Sequence, residues 1–153
     1  MDRFKGKDVI IFGGGDSAVD WALMLEGVAK TVKIVHRRDD FRAHAASVDR
    51  LKSSTVEILT PYVAKSLLGE NNQVTAVELT NLTTNATEKV NANEVIVLFG
   101  FISSLGPIKD WDLELDKNAL CVNHRQQTSV SGIYAAGDAC TFDGKIKMID
   151  RKS

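Results

Sequence analysis

Four apolar residues, Val9-Ile10-Ile11-Phe12, follow Lys7-Asp8 and run into Gly13-Gly14-Gly15-Asp16-Ser17-Ala18. A short β-branched run that stops at a glycine cluster reads as a buried strand and a tight turn. Beyond it the period lengthens. Ala18, Val19, Ala22, Leu23, Leu25 and Ala29 recur at helical spacing, so a helix starts near Ser17 and buries one face on a sheet. Trp21 and Met24 lie off the centre of that stripe and are expected as partial core. Thr31 to His36 supplies a second strand. A turn follows at Asp39-Asp40, where either aspartate is an expected cap for a helix through Phe41, Ala45, Val48 and Leu51. Val56-Glu57-Ile58-Leu59 reads as a third strand, closed by Pro61.

The period then drops to two. Tyr62 to Leu67, a Gly69-Glu70-Asn71-Asn72 turn, Val74 to Leu79, a polar Thr/Asn turn and Thr87 to Val90 predict an antiparallel meander. Glu94 to Gly100 is a nearly continuous apolar run, as expected of a central parallel strand buried on both faces. Strands alternating with helices around such a run predict an α/β fold with a parallel sheet and an inserted antiparallel β-meander. The texture changes from Ser103 onward, which puts a boundary between residues 1–102 and 103–153. Leu105-Gly106-Pro107 marks a break, and short alternations surround Lys117-Asn118. Gly132-Ile133-Tyr134-Ala135-Ala136-Gly137-Asp138 reads as one more buried strand ending in a Gly-Asp turn.

Composition narrows the class of protein without naming it. The 153 residues are 44% hydrophobic and 25% charged, ordinary for a soluble globular chain. A net charge of −1 gives no bulk attraction to nucleic acid or to an anionic membrane. No apolar run approaches the roughly 20 residues needed to span a bilayer, and no signal-peptide core follows the charged start, so a cytoplasmic location is expected. Cys121 and Cys140 are too far apart for a C-x-x-C pair, and no histidine spacing beside them makes a metal site. Both are expected as reduced packing residues, with His44 and His124 on the surface.

The chemistry lies in two stretches. Gly13, Gly15 and Ala18 fit the G-x-G-x-x-A spacing of a dinucleotide turn: one glycine for the sharp bend, one for close approach of backbone to a pyrophosphate, and a small residue for helix–strand packing. Methyltransferases and plain structural turns share that spacing, so the second strand must discriminate. In an NAD or S-adenosylmethionine site that strand usually ends in an acid that accepts from ribose hydroxyls. Here it ends in His36-Arg37-Arg38, with Arg42 close behind. Planar, permanently charged guanidinium forks suit a phosphate dianion. The expected ligand is NADP(H), its 2′-phosphate among Arg37, Arg38 and Arg42 with His36 beside it, and its pyrophosphate over Gly13-Gly14-Gly15-Asp16-Ser17-Ala18. The alternative reading is a solvated basic turn partly neutralised by Asp39 and Asp40.

Taken together, Gly13 to Ala18, His36-Arg37-Arg38-Asp39-Asp40-Phe41-Arg42-Ala43-His44 and Gly132 to Asp138 resemble the NADPH half of the thioredoxin-reductase-like flavoproteins. Phe99 to Ile108 is similar in particular to the ferredoxin (flavodoxin)–NADP+ reductases of thioredoxin-reductase type. That resemblance implies a Rossmann-like NADP(H)-binding domain over 1–102 and an incomplete segment of a second, FAD-binding domain over 103–153. It implies an NADPH-dependent flavoprotein oxidoreductase that passes hydride to FAD and electrons to ferredoxin or flavodoxin, with Asp138 approaching the FAD ribityl chain. This chain alone is then expected to be inactive, and no acid, base or nucleophile is expected from it. Two alternatives stay open: a thioredoxin-reductase-like relative lacking the redox cysteine pair, and a stand-alone, non-catalytic NADP(H)-binding module. A strand over Ile133 to Ala136 without neighbours of its own would also favour a homodimer through the tail.

Overall fold

A computed structural model describes residues 1–100 and 104–144. The chain divides after Gly100 into two compact units. The first is built on β1 (Asp8–Phe12), α1 (Asp16–Leu25), β2 (Thr31–Val35), α2 (Ala45–Lys52) and β3 (Glu57–Leu59), followed by β4 (Tyr62–Glu70), β5 (Gln73–Asn81), β6 (Thr87–Asn91) and β7 (Glu94–Val97). Strands β3-β2-β1-β7 form a parallel sheet in that order, and β4-β5-β6 form an antiparallel one.

Alternation along the strands decides which layer each side chain joins, because successive residues of a strand point to opposite faces. Val9 and Ile11 of β1 and Val32 and Ile34 of β2 pack with Ala18, Val19, Ala22 and Leu25 of α1 and Leu51 of α2. Ile10, Phe12 and Val35 face the other way, onto Val77 and Leu79 of the meander. The unit is thus three layers, helices over parallel sheet over antiparallel sheet, and β1 is apolar on both faces because both are covered.

Four expectations change. Helix α1 stops at Leu25, short of Ala29, because Glu26 leaves helical geometry (ψ 127°) and Gly27 turns left-handed (φ 77°). Neither Asp39 nor Asp40 caps α2, which starts at Ala45 with His44 in the N-cap position, so Phe41 precedes the helix. The meander turn shrinks to Asn71-Asn72, both left-handed (φ 52° and 60°), the backbone that a tight two-residue hairpin requires. Gly69 lies inside β4, where a Cβ would strike the Gln73 carbonyl. Finally, β7 is an edge strand rather than a central one. Among the described residues it pairs only with β1, and Val97 and Phe99 are 56% and 76% exposed.

The edge is fastened electrostatically to the start of the chain. Glu94 accepts from Arg3 Nε at 3.0 Å and Nη2 at 2.5 Å through one oxygen, and from Lys7 Nζ at 2.7 Å through the other. These bonds hold its carboxyl at about 2, against 4.5 for an ordinary glutamate. A depressed folded-state pKa stabilises above the unfolded value, and that stability is lost as pH falls through the folded one. Between about pH 4.5 and 2 the urea midpoint of the native chain is therefore expected to fall more steeply than that of Glu94→Gln. The difference is about 1 kcal/mol, the scale of pairs that stay in contact with solvent. Parallel midpoint curves would disprove it.

The second unit contains β8 (Leu115–Asp116), β9 (Ala119–Cys121) and β10 (Cys140–Thr141), in the order β10-β9-β8. Leu105, Leu113, Leu120 and Cys140 form its core. Cys121 is half-buried, and Cys140 is buried with its Sγ donating to the Gly137 carbonyl at 3.3 Å. The expected strand over 132–138 does not form. Tyr134 makes one isolated bridge to Gln127 and is 62% exposed, and Gly137–Ala139 is a single 3₁₀ turn. A strand needs a partner along its length, and here the pairing stops at one bridge, flanked by Thr128 N–H donating to the Ile133 carbonyl at 3.0 Å and Ala135 N–H donating to the Gln126 carbonyl at 2.9 Å. The strand edge that argued for self-association is thus not present as a strand. The expected boundary at 102/103 and the closing residues 150–153 lie outside the described residues.

Candidate functional site

Parallel pairing brings the ends of β1 and β2 to one edge. Phe12 lies opposite Val35, and the pairing continues one step further, with Gly13 N–H donating to the Val35 carbonyl at 3.1 Å. The glycine turn and the His36-Arg37-Arg38 stretch therefore emerge side by side at the carboxyl end of the sheet. The chain order β3-β2-β1 then reverses to β7 on the other side of β1. That reversal is the topological switch point at which open α/β sheets bind ligands.

The three glycines have different surroundings. A Cβ on Gly13 (φ 152°) would lie 2.5 Å from the Leu98 carbonyl oxygen and 2.9 Å from Ala18 Cβ, so this residue permits the close packing of β1, α1 and the chain after β7. A Cβ on Gly14 would penetrate the His36 imidazole. A Cβ on Gly15 would meet nothing within 4 Å. Gly15 is the N-cap of α1, and it has no side chain to offer the helix. Among the described residues, no group accepts from the amides of Gly14, Gly15, Asp16 or Ser17. Four donors at the positive end of a helix, beside open space, fit an anionic group.

The basic loop closes onto this turn. Arg42 N–H donates to the Gly14 carbonyl at 2.7 Å, and His44 N–H donates to Asp16 Oδ1 at 2.8 Å. Arg37, Arg38 and Arg42 are exposed, and none takes part in an ion pair among the described residues. Asp39 and Asp40 therefore do not neutralise them by contact, and the field of three guanidinium groups faces solvent. Phosphate is the group that such a field and such donors suit.

Unlike the three arginines, His36 is half-buried. Its ring lies under Gly14 and 5.4 Å from the Phe41 ring, and its Nε2 is buried without a partner. Burial lowers its pKa below the ordinary value, and the charges of Arg37, Arg38 and Arg42 lower it further, although the Asp40 backbone partly opposes them. His36 thus supports the turn from beneath. The sequence reading also missed Phe41 and the Leu98 carbonyl. The signal for Phe41 was one aromatic residue in an otherwise charged run, and for the carbonyl there was no signal. Asp138 belongs to the second unit, where it is exposed in the Gly137–Ala139 turn. Among the described residues no cluster of His, Cys, Asp or Glu could hold a metal ion, and no helix is long and apolar enough to cross a membrane.

The fold of the first unit, with its glycine turn at the switch point of a parallel sheet, is that of the Rossmann-like α/β domains. The chain belongs to the pyridine nucleotide-disulphide oxidoreductase family, whose profile matches residues 2–151. It is 57% identical over 149 residues to ferredoxin–NADP reductase 2 of Shouchella clausii and 53% identical to the ferredoxin–NADP reductase of Geobacillus kaustophilus. Each alignment takes in 97% of this chain and 45% of the relative, so the chain spans less than half the length of the curated relatives it matches. Among solved structures it is similar to T. acidophilum thioredoxin reductase (TM-score 0.80, 29% identity, 97% of this chain and 48% of that one). Lactococcus lactis thioredoxin reductase matches in fold with the same TM-score and coverage at 23% identity.

Proposed function

We propose that residues 1–100 are the NADP(H)-binding part of a ferredoxin (flavodoxin)–NADP+ reductase. The observation that carries this reading is the closure of the arginine loop onto the glycine turn through the Arg42–Gly14 hydrogen bond. It joins donors suited to a pyrophosphate with cations suited to a 2′-phosphate at one sheet edge. The amides of Gly14 to Ser17 hold the pyrophosphate, Gly13 and Ala18 keep the turn close to the sheet, and Gly15 leaves room for the phosphate oxygens. Arg37, Arg38 and Arg42 hold the 2′-phosphate, while His36 supports the turn from beneath.

The chemistry supplied there in the complete reductase is hydride from NADPH to FAD, with ferredoxin or flavodoxin as electron acceptor. This chain's own contribution is binding and orientation, and no side chain of the site has to move a proton. Asp138 is the residue proposed to lie toward the FAD ribityl chain. The names of the relatives at 57% and 53% identity support the reductase assignment.

Calorimetric titration tests the site. NADPH is expected to bind at least about tenfold more tightly than NADH, since one charge-assisted contact contributes roughly 1.5–3 kcal/mol and each 1.4 kcal/mol is a factor of ten. Equal affinities would reject the 2′-phosphate assignment.

A further inference from the structure

Asp16 occupies an awkward position for the function just proposed. It is the first residue of α1, exposed, at the helix end whose free amides face an anionic group. A carboxylate there opposes a pyrophosphate by charge.

The structure gives this carboxylate another partner. Asp16 Oδ1 accepts from the His44 amide at 2.8 Å, 28 positions along the chain. His44 ends the loop that carries Arg42 and begins α2. Besides this bond, the described hydrogen bonds between residues 13–18 and the loop 39–44 comprise only Arg42 N–H to the Gly14 carbonyl. The guanidinium groups have no ion-pair partner among the described residues, so the loop backbone sets where they can reach. Two bonds, at positions 42 and 44, fix both the position and the direction of that backbone. Phe41 and Ala43 pack on the core as well, so losing the bond at 44 loosens the loop at its far end without releasing it.

We propose that Asp16 is a positioning residue that sets the preference for a 2′-phosphorylated nucleotide by fastening the arginine loop to the glycine turn through the His44 amide. The proposal rests on the NADP(H) reading above. It gives the Asp16 carboxylate, as distinct from its backbone amide, a role exerted through Arg37, Arg38 and Arg42. The bond is what matters, so a carboxamide oxygen at the same place serves as well as the carboxylate.

The test compares the native chain with Asp16→Ala and Asp16→Asn. Asp16 is exposed and alanine is the best helix former, so both variants retain the fold, which a urea midpoint verifies. Calorimetry with 2′,5′-ADP and 5′-AMP reads the two phosphate positions, and amide hydrogen exchange at His44 reads the bond without any ligand. Asp16→Ala is expected to weaken 2′,5′-ADP by about tenfold, the effect of losing one hydrogen bond to a charged group. It should not weaken 5′-AMP, whose phosphate is relieved of the opposing carboxylate, and it should speed exchange at His44 by a similar factor of about ten. Asp16→Asn should restore the native ratio of 2′,5′-ADP to 5′-AMP affinity and the native exchange at His44.

Unchanged 2′,5′-ADP affinity or unchanged His44 exchange in Asp16→Ala would overturn the proposal. So would an asparagine variant that fails as the alanine variant does, because charge rather than the bond would then be responsible. If the native chain does not distinguish 2′,5′-ADP from 5′-AMP, the NADP(H) reading falls first and takes the proposal with it.

Discussion

Replacing Arg37 and Arg38 together by alanine is expected to weaken NADPH binding by about a hundredfold or more and to leave NADH within about twofold. The estimate follows from two charge-assisted contacts of roughly 1.5–3 kcal/mol each, at 1.4 kcal/mol per decade. Neither arginine contributes an ion pair to the fold among the described residues, and both are exposed, so the native structure loses little when they are removed. Selectivity and stability are therefore separable here. Calorimetric titration of both nucleotides, with urea unfolding as control, makes the measurement. An equal loss for NADPH and NADH would mean that the arginines act on the common part of the nucleotide, and it would remove the basis for NADP(H) over NAD(H).

The glycines allow the opposite separation. Gly13→Ala brings a Cβ to 2.5 Å from the Leu98 carbonyl oxygen, a backbone atom, and to 2.9 Å from Ala18, at a φ of 152° that side chains rarely adopt. Leu98 cannot retreat cheaply, because its N–H donates to the Phe12 carbonyl at 2.7 Å in continuation of the β1–β7 ladder. Overpacking of 1–3 kcal/mol added to backbone strain of similar size gives an expected cost of about 3 kcal/mol or more, a large share of a typical stability of 5–15 kcal/mol. Gly15→Ala meets nothing within 4 Å and should cost no more than about 1 kcal/mol as a helix N-cap change. Its loss should appear instead in nucleotide affinity, because the added methyl occupies the space reserved for phosphate oxygens. Urea midpoints and nucleotide titrations on the two variants check both halves. A stable Gly13→Ala, or a Gly15→Ala that binds normally, would contradict the division of labour.

Much of this was legible in the order of the residues. The strand at Val9 to Phe12, the glycine turn, the β-branched second strand and the meander all carry local signals, in period, in branching and in turn chemistry. The closeness of the basic stretch to the glycine turn was also legible, because the two follow the ends of adjacent parallel strands. What could not be read was whatever depends on a partner distant in sequence. Glu94 to Val97 is apolar enough for an interior strand, and only pairing shows that it stands at the edge. Ile133 to Ala136 alternates like a strand yet remains irregular, because strand formation belongs to pairs of segments. Asp39 and Asp40 obey the capping rule on paper, while the acid that serves the entrance to α2 comes from Asp16. The same limit hid the role of His36, whose place under Gly14 follows from a fold that joins residues 22 positions apart.

The fastening of β7 to the first residues also bears on how the chain is made. A ribosome delivers β1 long before β7: about 85 residues separate Phe12 from Val97, which at about 5–20 residues per second is roughly 4–17 s. During that interval β2 can dock on one side of β1, but the other side presents the bare amides and carbonyls of an apolar segment, Val9 to Phe12. Bare strand edges of this kind recruit neighbouring chains. The nascent unit is thus most exposed to aggregation just before its final strand emerges, and the pairing of Glu94 to Val97 with Val9 to Phe12 ends that exposure, with Glu94 also reaching back to Arg3 and Lys7.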